Sequence, residues 1–205
     1  MSFFSNLFGQ RKKEMQQVAY QLGMDYYDSD EQELIHSLAG FKLFQRGRSR
    51  KVSNLLSHID SGQGNEICIF DYRFRTGGGK SSSKHITTVF FVRSSGLNLP
   101  LFHLKPKNFF HKVGEYIGWT KDIAFESHPD FSDQYLLQGH HEIDIRHVFN
   151  SDMLHFFTNE PNWYLEGFGN QMIFYREGKR KMSVDAIPNL YDKGLYVYGR
   201  LRSPQ

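Results

Sequence analysis

The densest group of side chains that could bind a metal ion lies between His140 and His147, in the run His-His-Glu-Ile-Asp-Ile-Arg-His. On a helix, His140, Asp144 and His147 would project from one face, a spacing that could hold a divalent ion. Zincin chemistry would need a second histidine at position 145, where the chain has isoleucine. The alternative interpretation is the exposed polar face of an amphipathic helix. We favour that alternative and predict neither a bound metal nor a cofactor.

Acid–base chemistry has candidates in Asp71, His141, Glu142 and Arg146. The sequence places no two carboxylates face to face, as paired-carboxylate catalysis requires. Asp71 lies inside an apolar and aromatic run, where a half-buried carboxylate needs a partner, and Arg146 or Arg93 could provide one. Because such pairs are usually structural, we expect a protein that is not an enzyme. A hydrolase or metal-dependent enzyme built on Asp71 and the histidine cluster is the alternative.

A glycine-rich segment, Gly77-Gly78-Gly79-Lys80-Ser81, imitates the end of a phosphate-binding loop. In a true loop of that kind, backbone amides and the lysine hold phosphates at the start of a helix. The first glycine of the motif would fall at position 74, which is phenylalanine, and the segment joins two predicted strands. We therefore predict a surface hairpin loop over Gly77 to Lys84 that binds no phosphate.

The first eight residues are rich in large apolar side chains. Phe3, Phe4, Leu7 and Phe8 fall on one helical face, and three cations follow at positions 11–13. Such a segment can lie in the interface of an anionic membrane. It can equally pack on the domain, pair with a second copy or contact an unknown protein partner. We expect a contact outside the globular core, with either a membrane surface or another subunit.

Two basic clusters occur at Arg46–Lys51 and Arg176–Lys181. They could follow a nucleic-acid backbone, but no nucleic-acid motif accompanies them, and the formal net charge of the chain is only +3. Solvated loops are the interpretation that we favour. Nucleic-acid binding ranks third among the functions considered, after a binding module and an enzyme.

Composition indicates a chain able to bury a sizeable core: 205 residues, 39% of them hydrophobic and 16% aromatic. The single cysteine, Cys68, lies in an apolar run and suits a reducing cytoplasm. No stretch approaches the roughly 20 apolar residues that span a bilayer. We expect a cytoplasmic protein, with peripheral contact to the inner membrane as an open alternative.

The elements that must position these residues follow from periodicity. Helical spacing predicts an amphipathic helix over Gln10 to Gly23, and a second, short one from Ser29 or Asp30 to near Gly40. Further helices are predicted over Pro106–Gly118, His141–Phe149, Asp152–Phe157 and Ile187–Leu201. Alternation predicts strands containing Cys68–Phe74, Ile86–Val92, Leu99–Leu104, Asp122–Glu126 and Gln134–Leu137, and a hairpin of Trp163–Leu165 with Gln171–Tyr175.

This order of elements predicts an α+β fold with a mainly antiparallel sheet and flanking helices. We expect residues 1–24 to form an aromatic, amphipathic helical segment and residues 25–205 a single domain. The strands that carry Cys68, Ile86 and Leu99 should be neighbours in the sheet.

Several short motifs together resemble an uncharacterised family of bacterial proteins. They are Phe70-Asp71-Tyr72, the run Leu99–Pro106, the stretch from Asp122 to Phe149, and Leu165-Glu166-Gly167 followed by Phe174-Tyr175-Arg176. The resemblance runs from about Leu22 to Arg176. It implies a fold of this class and a bacterial origin, and it carries no activity.

Overall fold

The computed structural model describes residues 3–29, 33–60, 62, 64–107, 122–178 and 181–202, apart from the side chains of residues 3–8, 33 and 80. The strands are β1 Asp25–Ser29, β2 Arg48–Asp60, β3 Asn65–Thr76, β4 Ser83–Arg93, β5 Leu99–Pro106, β6 Tyr135–Gly139, β7 Tyr164–Gly169 and β8 Gln171–Tyr175. The helices are α1 Phe3–Leu22, α2 Glu33–Ser37, α3 Lys42–Gln45, α4 Pro129–Gln134, α5 Glu142–Val148, α6 Ser151–Asn159 and α7 Ile187–Leu201.

The eight strands of the described residues form one sheet in the order β1-β2-β3-β4-β8-β7-β5-β6. Every neighbouring pair is antiparallel. This confirms the predicted α+β class. The expectation that β5 adjoins β4 is wrong, because the closing hairpin of β7 and β8 lies between them.

Each face of the sheet packs against helices, so the molecule has two apolar cores. On one face, β3 presents Phe70 and Tyr72 to residues of α2 and α3, such as Leu34 and Phe44. On the other, Ile69 packs with residues of α1 and of α4 to α7. We call these the two-helix face and the five-helix face. The predicted alternation within β3 and β4 is confirmed.

The N-terminal helix α1 is longer than predicted, since it begins at Phe3 and not at Gln10. Gly23, with φ +65°, follows its end, a left-handed conformation that glycine adopts without steric cost. Met15, Val18 and Ala19 are buried on the five-helix face. The second half of α1 therefore belongs to the same core as the sheet, while the division at residue 24 stays a prediction.

Strand β2 and the segment Asp122–Glu126 differ from the predictions because of how strands bend and end. The sequence pattern missed β2, whose pairing with β3 shifts register between Arg48 and Lys51 and between Ser53 and Leu56. Inserted residues of this kind break the two-residue alternation on which strand prediction depends. Conversely, Asp122–Glu126 is not a strand, although Ile123 N donates to Leu137 O at 2.8 Å.

The helical predictions after β5 have two outcomes. α5, α6 and α7 are confirmed, α7 with the predicted bounds Ile187–Leu201. Pro106 ends β5 and does not begin a helix, and most of the helix predicted there falls within residues 108–121, outside the described residues.

In α7, a Cβ placed at Gly194 would lie 2.5 Å from the Phe90 ring. The glycine therefore lets the helix approach β4 closely.

Candidate functional site

The histidine cluster lies around α5, with His141 at the N-cap position. His140, His141, Asp144 and His147 are exposed. Within the described part of the chain, no group of three or more His, Cys, Asp or Glu side chains is placed to hold a metal ion. The structure thus does not bring His140, Asp144 and His147 together as a ligand set.

Glu142 and Arg146 form an ion pair along α5, with Arg146 Nη2 2.6 Å from Glu142 Oε1. The Arg146 guanidinium also lies 5.0 Å from the centre of the Phe125 ring. Both charged side chains are more than 40% exposed. Exposed pairs one turn apart are common on helices and stabilise them slightly.

Asp71 is the buried centre of a hydrogen-bond network on the five-helix face. Arg11 of α1 donates from Nε to Oδ2 and from Nη2 to Oδ1, both at 2.8 Å. Thr88 Oγ1 and Asn54 Nδ2 each donate to Asp71 at 2.9 Å. The prediction that Arg146 or Arg93 pairs with Asp71 is wrong. Arg146 pairs with Glu142 on α5, and Arg93 of β4 pairs with Glu66 of the neighbouring strand β3.

The network extends from Asp71 to the edge of the sheet. Asn54 has φ +51°, a conformation that asparagine tolerates better than most residues. Its Oδ1 lies 3.0 Å from the Tyr26 hydroxyl, whose single proton is shared with Asp28 Oδ1 at 2.9 Å. Burial and the adjacent Asp28 carboxylate raise the pKa of that hydroxyl. Tyr26 therefore stays protonated and acts as a donor.

A cavity of about 270 Å³ opens above Asp71 and is lined mainly by charged side chains. We call it the basic pocket. Its cationic residues come from α1, β2, β3, β4 and the segment before α7: Arg11, Lys12, Lys51, Arg73, Lys84 and Lys181. Its carboxylates are Asp28 and Asp71. Among the described residues of the lining, six cations and two carboxylates leave a formal excess of four positive charges.

This excess is larger than the formal net charge of the whole chain, which is +3. Positive charge is therefore concentrated in the basic pocket, and the rest of the chain is close to neutral. Lys181 Nζ lies 4.0 Å from Asp71 Oδ2. Burial is the main cause that lowers the pKa of Lys181, and the cations of Arg11 and Lys84 lower it further.

Cations also face each other across neighbouring strands at this end of the sheet. Lys51 of β2 lies opposite Arg73 of β3. Arg75 of β3 lies opposite both Arg48 of β2 and Lys84 of β4. Like charges directly opposite each other destabilise an antiparallel pair. The basic cluster predicted to be a solvated loop at Arg46–Lys51 is thus partly the start of β2.

A second buried carboxylate, Glu166 on β7, lies under the two-helix face and is 2% exposed. It accepts hydrogen bonds from the backbone amides of Lys42 and Leu43 at the start of α3, and from the Tyr175 hydroxyl. Burial raises the pKa of Glu166 to about 7, and burial lowers the pKa of the neighbouring His103 to about 3. Since donors occupy both oxygens, Glu166 caps α3 and is closed to a substrate.

A shallower groove of about 790 Å³ crosses the two-helix face beside α2. Tyr27 and Ile59 border it with 50% and 63% exposure, and Cys68 and the Glu66–Arg93 pair line its floor. Burial raises the pKa of the Cys68 thiol to about 12. The thiol is therefore protonated at neutral pH and is a poor nucleophile.

The other predicted site residues divide between the hairpin and the N-terminus. The glycine-rich segment joins β3 to β4 through a short turn at Gly79–Ser81, which confirms the hairpin. Phe3, Phe4, Leu7 and Phe8 lie on the backbone of α1, but their side chains are outside the described residues. Among the described helices, none combines the length and hydrophobicity needed to cross a membrane.

No family model matches this chain, and no curated protein sequence does so either. The fold is similar to the crystal structure of the mycobacterial trehalose monomycolate transport factor A, TtfA. The TM-score is 0.62, with 14% sequence identity over 95% of this chain and 98% of that one. At this identity the similarity shows a shared fold alone.

Proposed function

We propose that this protein is a non-enzymatic binding module that associates with an anionic membrane surface through α1 and the basic pocket. One observation carries the proposal: Arg11 and Lys12 of α1 form a wall of the basic pocket. The aromatic first turns of the same helix therefore continue directly from a concentration of positive charge.

The spacing along α1 fits this role. With a rise of about 1.5 Å per residue, residues 3–8 lie about 5–12 Å along the helix axis from Arg11. Apolar residues next to cations are the pattern of segments that lie in the membrane interface. The cations that serve are the exposed ones of the pocket, Lys51, Arg73 and Lys84. Arg11 is buried against Asp71 and Lys12 pairs with Asp28, so that Lys13 is the exposed cation among positions 11–13.

The buried carboxylates support a role without catalysis. Asp71 and Glu166 both lie in the interior, and hydrogen-bond donors occupy all four of their oxygens. Each therefore already has a structural task, Asp71 in holding α1 and Glu166 in capping α3. A general acid or base must instead reach the proton that it transfers.

The similar fold is compatible with this proposal. TtfA is named a transport factor, and an accessory role beside a membrane is what we propose here, without carrying over any cargo. We place the protein at the cytoplasmic side of a bacterial inner membrane, in keeping with its single buried cysteine and its resemblance to bacterial proteins.

Vesicle flotation tests the proposal. The full chain should float with vesicles that contain phosphatidylglycerol and remain unbound with pure phosphatidylcholine. Deleting residues 2–9 should weaken flotation and preserve cooperative unfolding in urea, since it retains Arg11, Met15 and Val18, which are buried in the described part of α1. Salt at about 1 M, where the Debye length is about 3 Å, should weaken flotation as well.

Arg146→Gln is the matched control, because Arg146 lies on α5, which packs at the β5–β6 edge of the sheet, far in strand order from β2 and β3. It should float like the unaltered chain. Equal flotation of the deletion variant, or equal binding to neutral vesicles, would refute the proposal. A loss of self-association in sedimentation velocity without any change in flotation would favour a protein partner instead.

A further inference from the structure

We infer that the basic pocket is a phosphate-binding site in which Arg73, Lys51 and Lys84 supply the ligand contacts. The inference rests on the proposed function and names the chemistry that the pocket recognises. A phosphate group can come from a lipid headgroup or from a small soluble phosphate, and the experiment below separates these sources.

The three residues are available to a ligand. Lys51, Arg73 and Lys84 are exposed, and within the described part of the chain no carboxylate lies within 4.0 Å of their charged groups. Most other cations near the pocket are already engaged: Arg11 pairs with Asp71 and Lys12 with Asp28. The positive charge that remains therefore belongs to side chains that can rearrange around an anion.

Asp71 does not cancel this charge. Its two oxygens accept two hydrogen bonds from Arg11, so the carboxylate at the floor of the pocket is already neutralised. Asn54 and Ser53 add polar groups to the lining between β2 and the floor. The floor is thus fixed and close to neutral, whereas the rim is cationic.

The three cations at the rim, Lys51, Arg73 and Lys84, are arranged to bind several oxygens of one phosphate group, and suit it better than an anion with a single charged atom. Arg73 lies on β3, the middle of three adjacent strands, with Lys51 opposite it on β2. Lys84 lies on β4, the strand on the other side of β3, and also lines the pocket. A guanidinium can bind two oxygens of one phosphate, and lysine ammonium groups can take the remaining oxygens.

The volume of the basic pocket admits a single phosphate group but not the whole of a large molecule. Sites for whole small-molecule ligands are commonly about 300–1,000 Å³, and the basic pocket measures about 270 Å³. A phosphate with its adjoining atoms fits this volume, while the remainder of a larger ligand would have to stay outside. A headgroup presented by a membrane meets that condition.

The cross-strand cations give a further sign of a ligand. Lys51 opposite Arg73, and Arg75 opposite Lys84, repel each other in the unliganded protein. A bound anion would relieve that repulsion. Phosphate should therefore raise the melting temperature progressively as its concentration rises past the dissociation constant. Removing both charges at positions 51 and 73 should stabilise the protein and abolish this effect.

The experiment is a titration of the full chain with inorganic phosphate at low ionic strength, followed by amide chemical shifts in nuclear magnetic resonance. Saturable shifts should appear in β2, β3 and β4 around Lys51, Arg73 and Lys84. Arg73→Gln should weaken the affinity about tenfold or more, and the double variant Lys51→Gln/Arg73→Gln should remove saturation. Arg146→Gln should bind like the unaltered chain.

Three further arms identify the source of the phosphate. A soluble short-chain phosphatidic acid, phosphatidic acid vesicles and a single-stranded oligonucleotide are each compared with inorganic phosphate. Binding of both lipid forms, with loss in the double variant, supports a headgroup. Tight binding of inorganic phosphate without lipid binding supports a soluble phosphate and refutes the membrane proposal. Preferential binding of the oligonucleotide would overturn the inference in favour of nucleic acid.

Failure of the inference is distinguishable from failure of the proposed function. If no phosphate source shifts the pocket amides saturably, the inference is wrong. If vesicle flotation then persists and depends only on residues 2–9, the proposed membrane contact stands on the aromatic turns alone.

Discussion

Replacing Asp71 by asparagine should destabilise the protein by about 3–5 kcal/mol, because it leaves the buried Arg11 cation without its counter-charge. Asparagine keeps one oxygen, which can still accept from Arg11 Nη2 and from Thr88. Its amide nitrogen, however, would face two donors, Arg11 Nε and Asn54 Nδ2. The variant thus loses two hydrogen bonds to a charged group.

The magnitude follows from the same geometry. A hydrogen bond to a charged group contributes about 1.5–3 kcal/mol, so two lost bonds agree with the cost of breaking a buried pair. The Arg11 side chain is only 9% exposed, so water cannot easily replace the lost contacts. In a chain of 205 residues, such a loss lowers the melting temperature by roughly 6–20 °C.

Urea unfolding monitored by circular dichroism measures the effect, with Glu142→Gln as control. The control removes only the exposed pair with Arg146 and should cost at most about 0.5 kcal/mol. The double variant Arg11→Met/Asp71→Asn should cost less than the sum of the two single changes, since each single change leaves a charge unpaired. If Asp71→Asn costs no more than the control, the Arg11–Asp71 pair does not hold α1 on the sheet.

Two further predictions concern the two cores. Phe90→Ala should cost about 3–5 kcal/mol, because Phe90 is fully buried and its ring fills the space over Gly194; an unchanged urea midpoint would contradict the packing. For Glu166, the pKa of about 7 lies above the usual 4.5, so its stabilising contribution is fully present below pH 4.5 and is lost as the pH rises through 7. The stability of the unaltered chain relative to Glu166→Gln should accordingly fall between pH 4.5 and pH 8 by an amount on the order of 3 kcal/mol, and a constant or rising difference would show that burial does not govern this carboxyl.

The sequence predicted elements where local pattern and tertiary packing agree. Strand β3 alternates cleanly because Phe70 and Tyr72 face one core and Ile69 the other. Helix α7 was predicted with its bounds, although glycines weaken its pattern. A glycine is needed at position 194 because the Phe90 ring leaves no room for a Cβ, and this contact between α7 and β4 is not part of the local sequence pattern.

Helix α3 and strand β2 were missed for reasons that the local pattern does not contain. Helix α3 has four residues, too few to be stable alone, and its amides bind Glu166, more than 120 positions away. Strand β2 loses its alternation at Ser49 and Asn54, which have φ of 54° and 51°. Periodicity cannot detect either feature.

At the centre of the candidate site, the sequence predicted the buried ion pair of Asp71 but not the residue that pairs with it. A carboxylate at Asp71 within an apolar strand correctly indicated a buried ion pair. Its partner could have been found in α1, because Arg11 is spaced four and seven residues from the buried Met15 and Val18, on the same helical face. The basic pocket was not predictable, since its cations come from five separate segments that only the sheet brings together.

The double attachment of Arg11 has a consequence for the order of events during synthesis. Besides Asp71, its guanidinium donates from Nη1 to Met182 O at 2.8 Å, across 171 positions of sequence. At roughly 5–20 residues per second, ribosomes need about 10–35 s between these two points. Helix α1 therefore leaves the ribosome long before the last of its contacts exists, and Arg11 completes its pair of attachments only after nearly all of the chain has been made.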